Sequence, residues 1–176
     1  MAHTLFVFGN PHPERSAFAQ AMEMAVKHIG HSTLHLAPHC INGKFDVPAM
    51  QDSIAGAEQI VLHAPVYWYS VPALVKAWMD QLLTPGWAFP ADGSQLRGKR
   101  IAMSLTVGAP LASYAPGGSN RHPVDAYFLP FERAFEYCGM EWRGTLSLQI
   151  PQGKNAIQAA ASEHVELLLS RISAPE

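Results

Sequence analysis

Charge is scarce in this chain: Asp, Glu, Lys and Arg together make up 15% of its 176 residues. Twelve Lys and Arg stand against 14 Asp and Glu, a formal net charge of −2, so no global field attracts nucleic acid or an anionic membrane. Cysteine is scarcer still. Cys40 and Cys138 are too few and too far apart for a disulfide framework. Long apolar runs are missing too. The stretches around Ile60–Leu62 and Ile101–Met103 fall far short of the ~20 residues of a membrane span. The opening MAHTLFVFGN carries no basic segment and no cleavage site, so no signal peptide is expected. These absences point to one reduced, cytoplasmic domain over residues 1–176. What the chain has in quantity is apolar residues, at 48%, together with nine His, 14 Pro and four Trp.

Short β runs alternate with longer helical stretches. Thr4–Gly9 reads as a buried first strand, stopped by Gly-Asn-Pro. Ser16 caps a helix whose apolar residues Phe18, Met22, Ala25, Val26 and Ile29 recur at helical spacing, with Gly30 ending it. Strands are expected at 32–36, 59–64, 100–107 and 141–148, and helices at 49–57, 73–83, 124–138 and 155–172. Pro72 opens the third helix at its first turn. Residues 85–99 and 108–123 read as long irregular loops. Continuous apolar strands between helices argue a three-layer α/β fold with a five-stranded parallel sheet and helices on both faces, in the flavodoxin-like order 2-1-3-4-5. Ligands in that architecture sit beyond the carboxyl ends of the strands.

Three loops lie at those ends. GNPHPERS runs into the first helix, where free N–H groups and Ser16 suit a phosphate, although from this loop alone an ordinary N-cap with a Pro-rich turn is the better reading. It lacks the G-x-G-x-x-G of a dinucleotide site. PVYWYSVP puts three aromatic rings after a strand, as core packing or as the wall of a flat ligand. TVGAPLASYAPGGSNRHP combines small residues with Tyr114, Arg121 and His122, either as a ligand site or as a surface loop.

Other patterns lead nowhere. Gly93–Lys99 imitates a P-loop but precedes a strand and lacks the Ser or Thr. His28, His31, His35, His39 and Cys40 cross a helix end, a strand and a loop, and read as a solvated surface instead of a metal site. Ser104 and Ser113 lack a nucleophile elbow, and Cys138 reads as a packed thiol. Lys76 and Asp80 read as a local helix pair.

The segment from Pro65 to Asp80, PVYWYSVPALVKAWMD, continuing to Gly86-Trp-Ala-Phe89, resembles the signature of the flavodoxin-like NAD(P)H:quinone oxidoreductases. Within them it is similar to the bacterial ancillary oxidoreductases of glutathione-gated potassium efflux systems, and beyond these to the mammalian quinone reductases. The likeness extends to Ser16, Thr106–Ala109, Tyr114, His122-Pro123 and Tyr137-Cys-Gly139. It implies a homodimeric flavoenzyme that takes hydride from NAD(P)H and passes two electrons to a quinone in a ping-pong cycle.

By position, the resemblance assigns Asn10, His12 and Ser16, Ala17, Phe18 and Ala19 to the flavin phosphate. Val66, Tyr67, Trp68 and Tyr69 line the ring, and Thr106, Val107, Gly108 and Ala109 meet its pyrimidine end. Tyr114 and His122 stabilise charge on reduced flavin and quinone, with Trp68, Phe89 and Tyr114 around the substrate and Phe89 reaching the facing subunit. FMN is favoured, with FAD the alternative. No metal is implied. Arg15 or Arg121 suits a coenzyme 2′-phosphate. Asn10 replaces the family's His, Ala19 its Asn, and Val107 and Pro110 alter a Thr-Thr-Gly-Gly-like loop; each lost hydrogen bond costs about 1 kcal/mol of flavin affinity. The alternative function is a regulatory subunit docked on a potassium efflux transporter, peripheral at the inner membrane face. A one-electron carrier suits the chain less, because such carriers are strongly acidic.

Overall fold

The computed structural model describes residues 3–175. Five strands, β1 (Thr4–Phe8), β2 (Ser32–His35), β3 (Gln59–Pro65), β4 (Arg100–Val107) and β5 (Glu141–Gln149), form one sheet in the order β2-β1-β3-β4-β5. Every neighbouring pair is parallel, with registers such as Phe6 against Val61 and Leu62 against Met103. Five helices connect and flank them: α1 (Ala17–His28), α2 (Val47–Ala55), α3 (Ala73–Leu82), α4 (Leu129–Tyr137) and α5 (Lys154–Ser173). The expected flavodoxin-like topology is the one observed.

The continuous apolar strands have two cores to fill. Residues Leu5, Val7, Ile60, Leu62, Met103 and Leu105 face α2, α3 and α4. Their alternates Phe6, Phe8, Val61 and Ala102 face α1 and α5. This is the period-two alternation of a strand buried on both sides. α1 begins as expected: the Ser16 hydroxyl accepts the Ala19 N–H at 3.2 Å. It ends at Gly30, whose φ of 82° is the left-handed conformation that glycine adopts cheaply.

The stretch 124–138 differs from the expected single helix. Val124–Tyr127 is a 3₁₀ turn, Phe128 leaves helical geometry at φ −111°, ψ 4°, and α4 starts afresh with Pro130 in its first turn. Proline has no N–H to continue the earlier turn and suits the start of the next. The P-loop-like segment is structural: Lys99 Nζ donates to the carbonyls of Ala55 and Ala57 at 2.7 and 2.5 Å and closes the end of α2. His35 corrects the expectation of a solvated histidine surface. It stacks on Phe8 at 4.8 Å and meets Glu23 at 3.1 Å, because β2 faces α1 there. Among the described residues, no helix is long and apolar enough to cross a membrane.

Candidate functional site

The carboxyl ends of β1, β3 and β4 are adjacent in the sheet, so the three loops singled out above rise side by side. The first passes over Gly9. A Cβ there would lie 2.2 Å from Val75 Cγ2, so only glycine lets β1 turn this close to α3. The Gly9 N–H donates to the His63 carbonyl at 2.7 Å, tying this loop to β3. Asn10 is buried and its Oδ1 accepts the His12 N–H at 2.9 Å, which shapes the turn and leaves Nδ2 as a donor. His12 itself is exposed beside Glu14, at 3.7 Å.

At the start of α1 the predicted set Ser16–Ala19 narrows. Phe18 and Ala19 bury their side chains in the core, and the Ala19 N–H is taken by Ser16. The Ser16 hydroxyl hydrogen and the N–H groups of Ala17 and Phe18 are left to face an outside acceptor, as helix geometry dictates for a first turn.

The second loop is a two-residue hairpin. Tyr67 and Ser70 exchange N–H···O bonds of 2.8 and 3.0 Å, while Trp68 and Tyr69 hold φ of 51° and 63°. Positive φ at both central positions is a type I′ turn, normally built from Asn-Gly. Here it carries two aromatic residues and leaves Trp68 94% exposed. The N–H of Val66 is spent on the Thr106 carbonyl at 2.8 Å and that of Tyr67 on Ser70, so the open amides of this loop are those of Trp68 and Tyr69.

In the third loop, Thr106 and Val107 are buried, and the Val107 side chain points into the α3–α4 core; only its backbone faces the site. Gly108 and half-buried Ala109 lead to Pro110, which opens a 3₁₀ turn over Leu111–Ser113 at φ −55°, where a missing N–H costs nothing. Tyr114 and His122 come together around Tyr127, with ring centroids 6.4 and 6.0 Å from it. Tyr69 joins the same ring at 5.0 Å. Burial, then the neighbouring phenols of Tyr69 and Tyr127, push the Tyr114 phenol above its usual range, so it stays protonated. Tyr127 and Asn120 belong to this cluster and the sequence reading missed them. The signal available was weak: an Asn-Arg-His run and a Tyr five residues after His122.

Phe89 lies apart. It pairs with Tyr137 at 6.0 Å in a groove of about 480 Å³ between the end of α3 and α4, and does not meet Trp68, Tyr114 or His122 within one chain.

A family model described as flavodoxin-like fold matches residues 2–170. The chain is 32% identical over 162 residues to an uncharacterised NAD(P)H oxidoreductase, YrkL, of Bacillus subtilis, covering 88% of this chain and 93% of that one. It is 32% identical over 173 residues to the glutathione-regulated potassium-efflux system ancillary protein KefF of Salmonella dublin, covering 94% and 95%. Among solved structures, general stress protein 14 of Treponema denticola in complex with FMN superposes with a TM-score of 0.89 at 28% identity, over 96% of this chain and 99% of that one.

Proposed function

The chain belongs to the flavodoxin-like fold family, and from that membership we propose that it is a flavin-dependent NAD(P)H:quinone oxidoreductase. The carrying observation is a single rim on which free backbone donors at Ala17, Phe18, Trp68 and Tyr69 stand with His122 and with Tyr114, whose phenol stays protonated. The donor set suits an elongated ligand with a phosphate at one end and a flat ring at the other. FMN has that shape, and the Treponema relative carries FMN. The relative named NAD(P)H oxidoreductase supports NAD(P)H as the electron donor.

When bound, the flavin would supply the hydride chemistry, accepting two electrons from NAD(P)H and releasing them to a quinone. The rest is the work of this chain. The Ser16 hydroxyl, the Ala17 and Phe18 amides and the positive end of α1 hold the phosphate, with Asn10 Nδ2 beside them. The Trp68 and Tyr69 amides would hold the ring edge, and the Trp68 ring would line the ring. Tyr114 donates its phenolic hydrogen to negative charge that develops on the acceptor, and exposed His122 exchanges a proton at an imidazole nitrogen. One shared face for donor and acceptor makes the cycle ping-pong. In a homodimer, Phe89, which does not meet the rim residues of its own chain, would project into the pocket of the facing copy.

Steady-state rates with NADPH and a simple quinone, measured after FMN loading, test the reading. Parallel double-reciprocal lines are expected; intersecting lines, or no flavin-dependent rate, would count against it. The relative KefF favours a second reading, an ancillary subunit on a potassium efflux transporter at the inner membrane face. Co-sedimentation with membranes that carry such a transporter supports that role; equal binding to membranes without it removes it.

A further inference from the structure

We propose that Asn120 and Tyr127 are positioning residues: together they latch the aromatic hairpin 66–70 to the loop 108–123 and aim Tyr114 and His122. What the aimed groups do rests on the oxidoreductase reading above; the latch itself rests on contacts that no ligand is needed to see.

Asn120 uses all of its polar groups on the two loops. Its Oδ1 accepts the Tyr69 hydroxyl at 3.2 Å, the only side-chain hydrogen bond between hairpin and loop among the described residues. Its Nδ2 donates to Ser113 Oγ at 2.7 Å, and its backbone N–H donates to the Ser113 carbonyl at 3.0 Å. Ser113 Oγ in turn donates to the Pro110 carbonyl at 2.7 Å, so the start and end of the loop are stitched through one residue. Gly118 is part of that stitch, since a Cβ there would lie 2.4 Å from the Ser113 carbonyl oxygen.

The Asn120 carbonyl does the aiming. It accepts the His122 N–H at 2.7 Å across Arg121, whose φ of 63° is a left-handed conformation that a side chain of this size resists. The same carbonyl accepts the Tyr127 hydroxyl. The sharp bend that presents His122 is therefore held from behind by Tyr127. The Tyr127 ring is also the common neighbour of Tyr69, inclined at 33°, and of Tyr114 and His122, met edge-on at 82° and 70°. Edge-to-face geometry fixes ring orientation as well as distance. Tyr127 spends its hydroxyl on backbone and is half-buried behind the three rings, so it acts through them.

The test compares the flavin-loaded protein with Asn120→Ala, Tyr127→Leu and Tyr127→Phe, the last keeping the ring and deleting only its hydroxyl. Asn120→Ala and Tyr127→Leu should each lower kcat by about tenfold or more while the FMN dissociation constant and the quinone KM stay within about threefold, and Tyr127→Phe, which keeps the ring contacts but releases the Asn120 carbonyl, should fall between Tyr127→Leu and the wild type. Unchanged kcat, or a loss of FMN affinity in proportion to kcat, would overturn the proposal. Amide hydrogen exchange of the flavin-free protein provides a second readout. Asn120→Ala should speed exchange at Tyr67 and Ser70 in the hairpin as well as at Tyr114 and His122. Acceleration confined to 111–122 would show that no latch joins the loops. If the wild-type protein neither holds flavin nor reduces a quinone, the oxidoreductase reading falls alone, and the exchange experiment decides the latch.

Discussion

His63, Ser104 and His164 form a buried chain against Phe18 of α1. The Ser104 hydroxyl lies 2.8 Å from His63 Nδ1 and 2.8 Å from His164 Nε2, with all three side chains buried. One imidazole accepts the hydroxyl hydrogen and the other donates its N–H to the oxygen, so the accepting ring must be neutral. Burial pushes the two histidines down from 6.5, to about 3 for His63 and about 4 for His164. Above pH 6.5 neither folded nor unfolded chain protonates them and full stability is present. As pH falls below that value the unfolded chain takes up protons first, so stability declines until the folded values are reached. Within this window the slope is about 1.4 kcal/mol per pH unit per histidine. The urea midpoint should therefore drop clearly between pH 7.5 and pH 5, roughly as that linkage requires, and His164→Leu should flatten the slope. Equal midpoints at both pH values would refute the burial argument. A second prediction concerns Ser16. Ser16→Ala should cost about 1 kcal/mol of stability through the lost cap and also weaken FMN binding. Thermal melts and a fluorescence titration check the two effects separately. The cap was legible in the sequence because its partner Ala19 is three residues away. The histidine chain was not, because its contacts span 41 and 60 residues and exist only once β3, β4 and α5 have packed.

At the scale of elements, the aromatic hairpin departs most from what its local geometry prefers. Two non-glycine residues at positive φ cost about 1 kcal/mol each. The double variant Trp68→Asn, Tyr69→Gly restores the residues that a type I′ turn favours. It should raise the melting temperature by several degrees, in proportion to about 1–2 kcal/mol, while abolishing retention of FMN. A variant that is no more stable, or one that still holds flavin, would contradict the view that strain is kept here for binding. The sequence announced this loop by its aromatic run but not its turn type, since Trp-Tyr is an unusual pair for positive φ. The split of 124–138 into a 3₁₀ turn and α4 was missed for a related reason. The apolar spacing of Val124, Phe128, Phe131 and Phe135 is helical throughout, and only Pro130 marks the break. Asn120 and Tyr127 escaped notice because their roles depend on two loops that meet only across β3 and β4.

At the scale of the whole molecule, the order β2-β1-β3-β4-β5 brings three loops that lie far apart in the chain onto one rim. That order was readable from the alternation of strands and helices, because parallel strands need crossover helices and a sheet buried on both faces needs continuous apolar runs. The flank where α3 and α4 end, away from the rim, is unfinished in one chain. Tyr137 is 57% exposed in the groove that holds Phe89. Sedimentation should give twice the 19.2 kDa of one chain, and Phe89→Asp with Tyr137→Glu should give a folded monomer with little quinone reductase activity. A wild-type monomer with full activity would remove the interface from the account. The rim, on the proposed reading, is a flavin site used for two-electron transfer. Its most direct test is the absorption spectrum of the protein soaked with FMN, desalted, then given NADPH without oxygen and finally a quinone. Retained flavin bands that bleach with NADPH and return with the quinone are expected. Bands lost on desalting, with FAD as with FMN, would contradict that reading and leave the ancillary docking role in front.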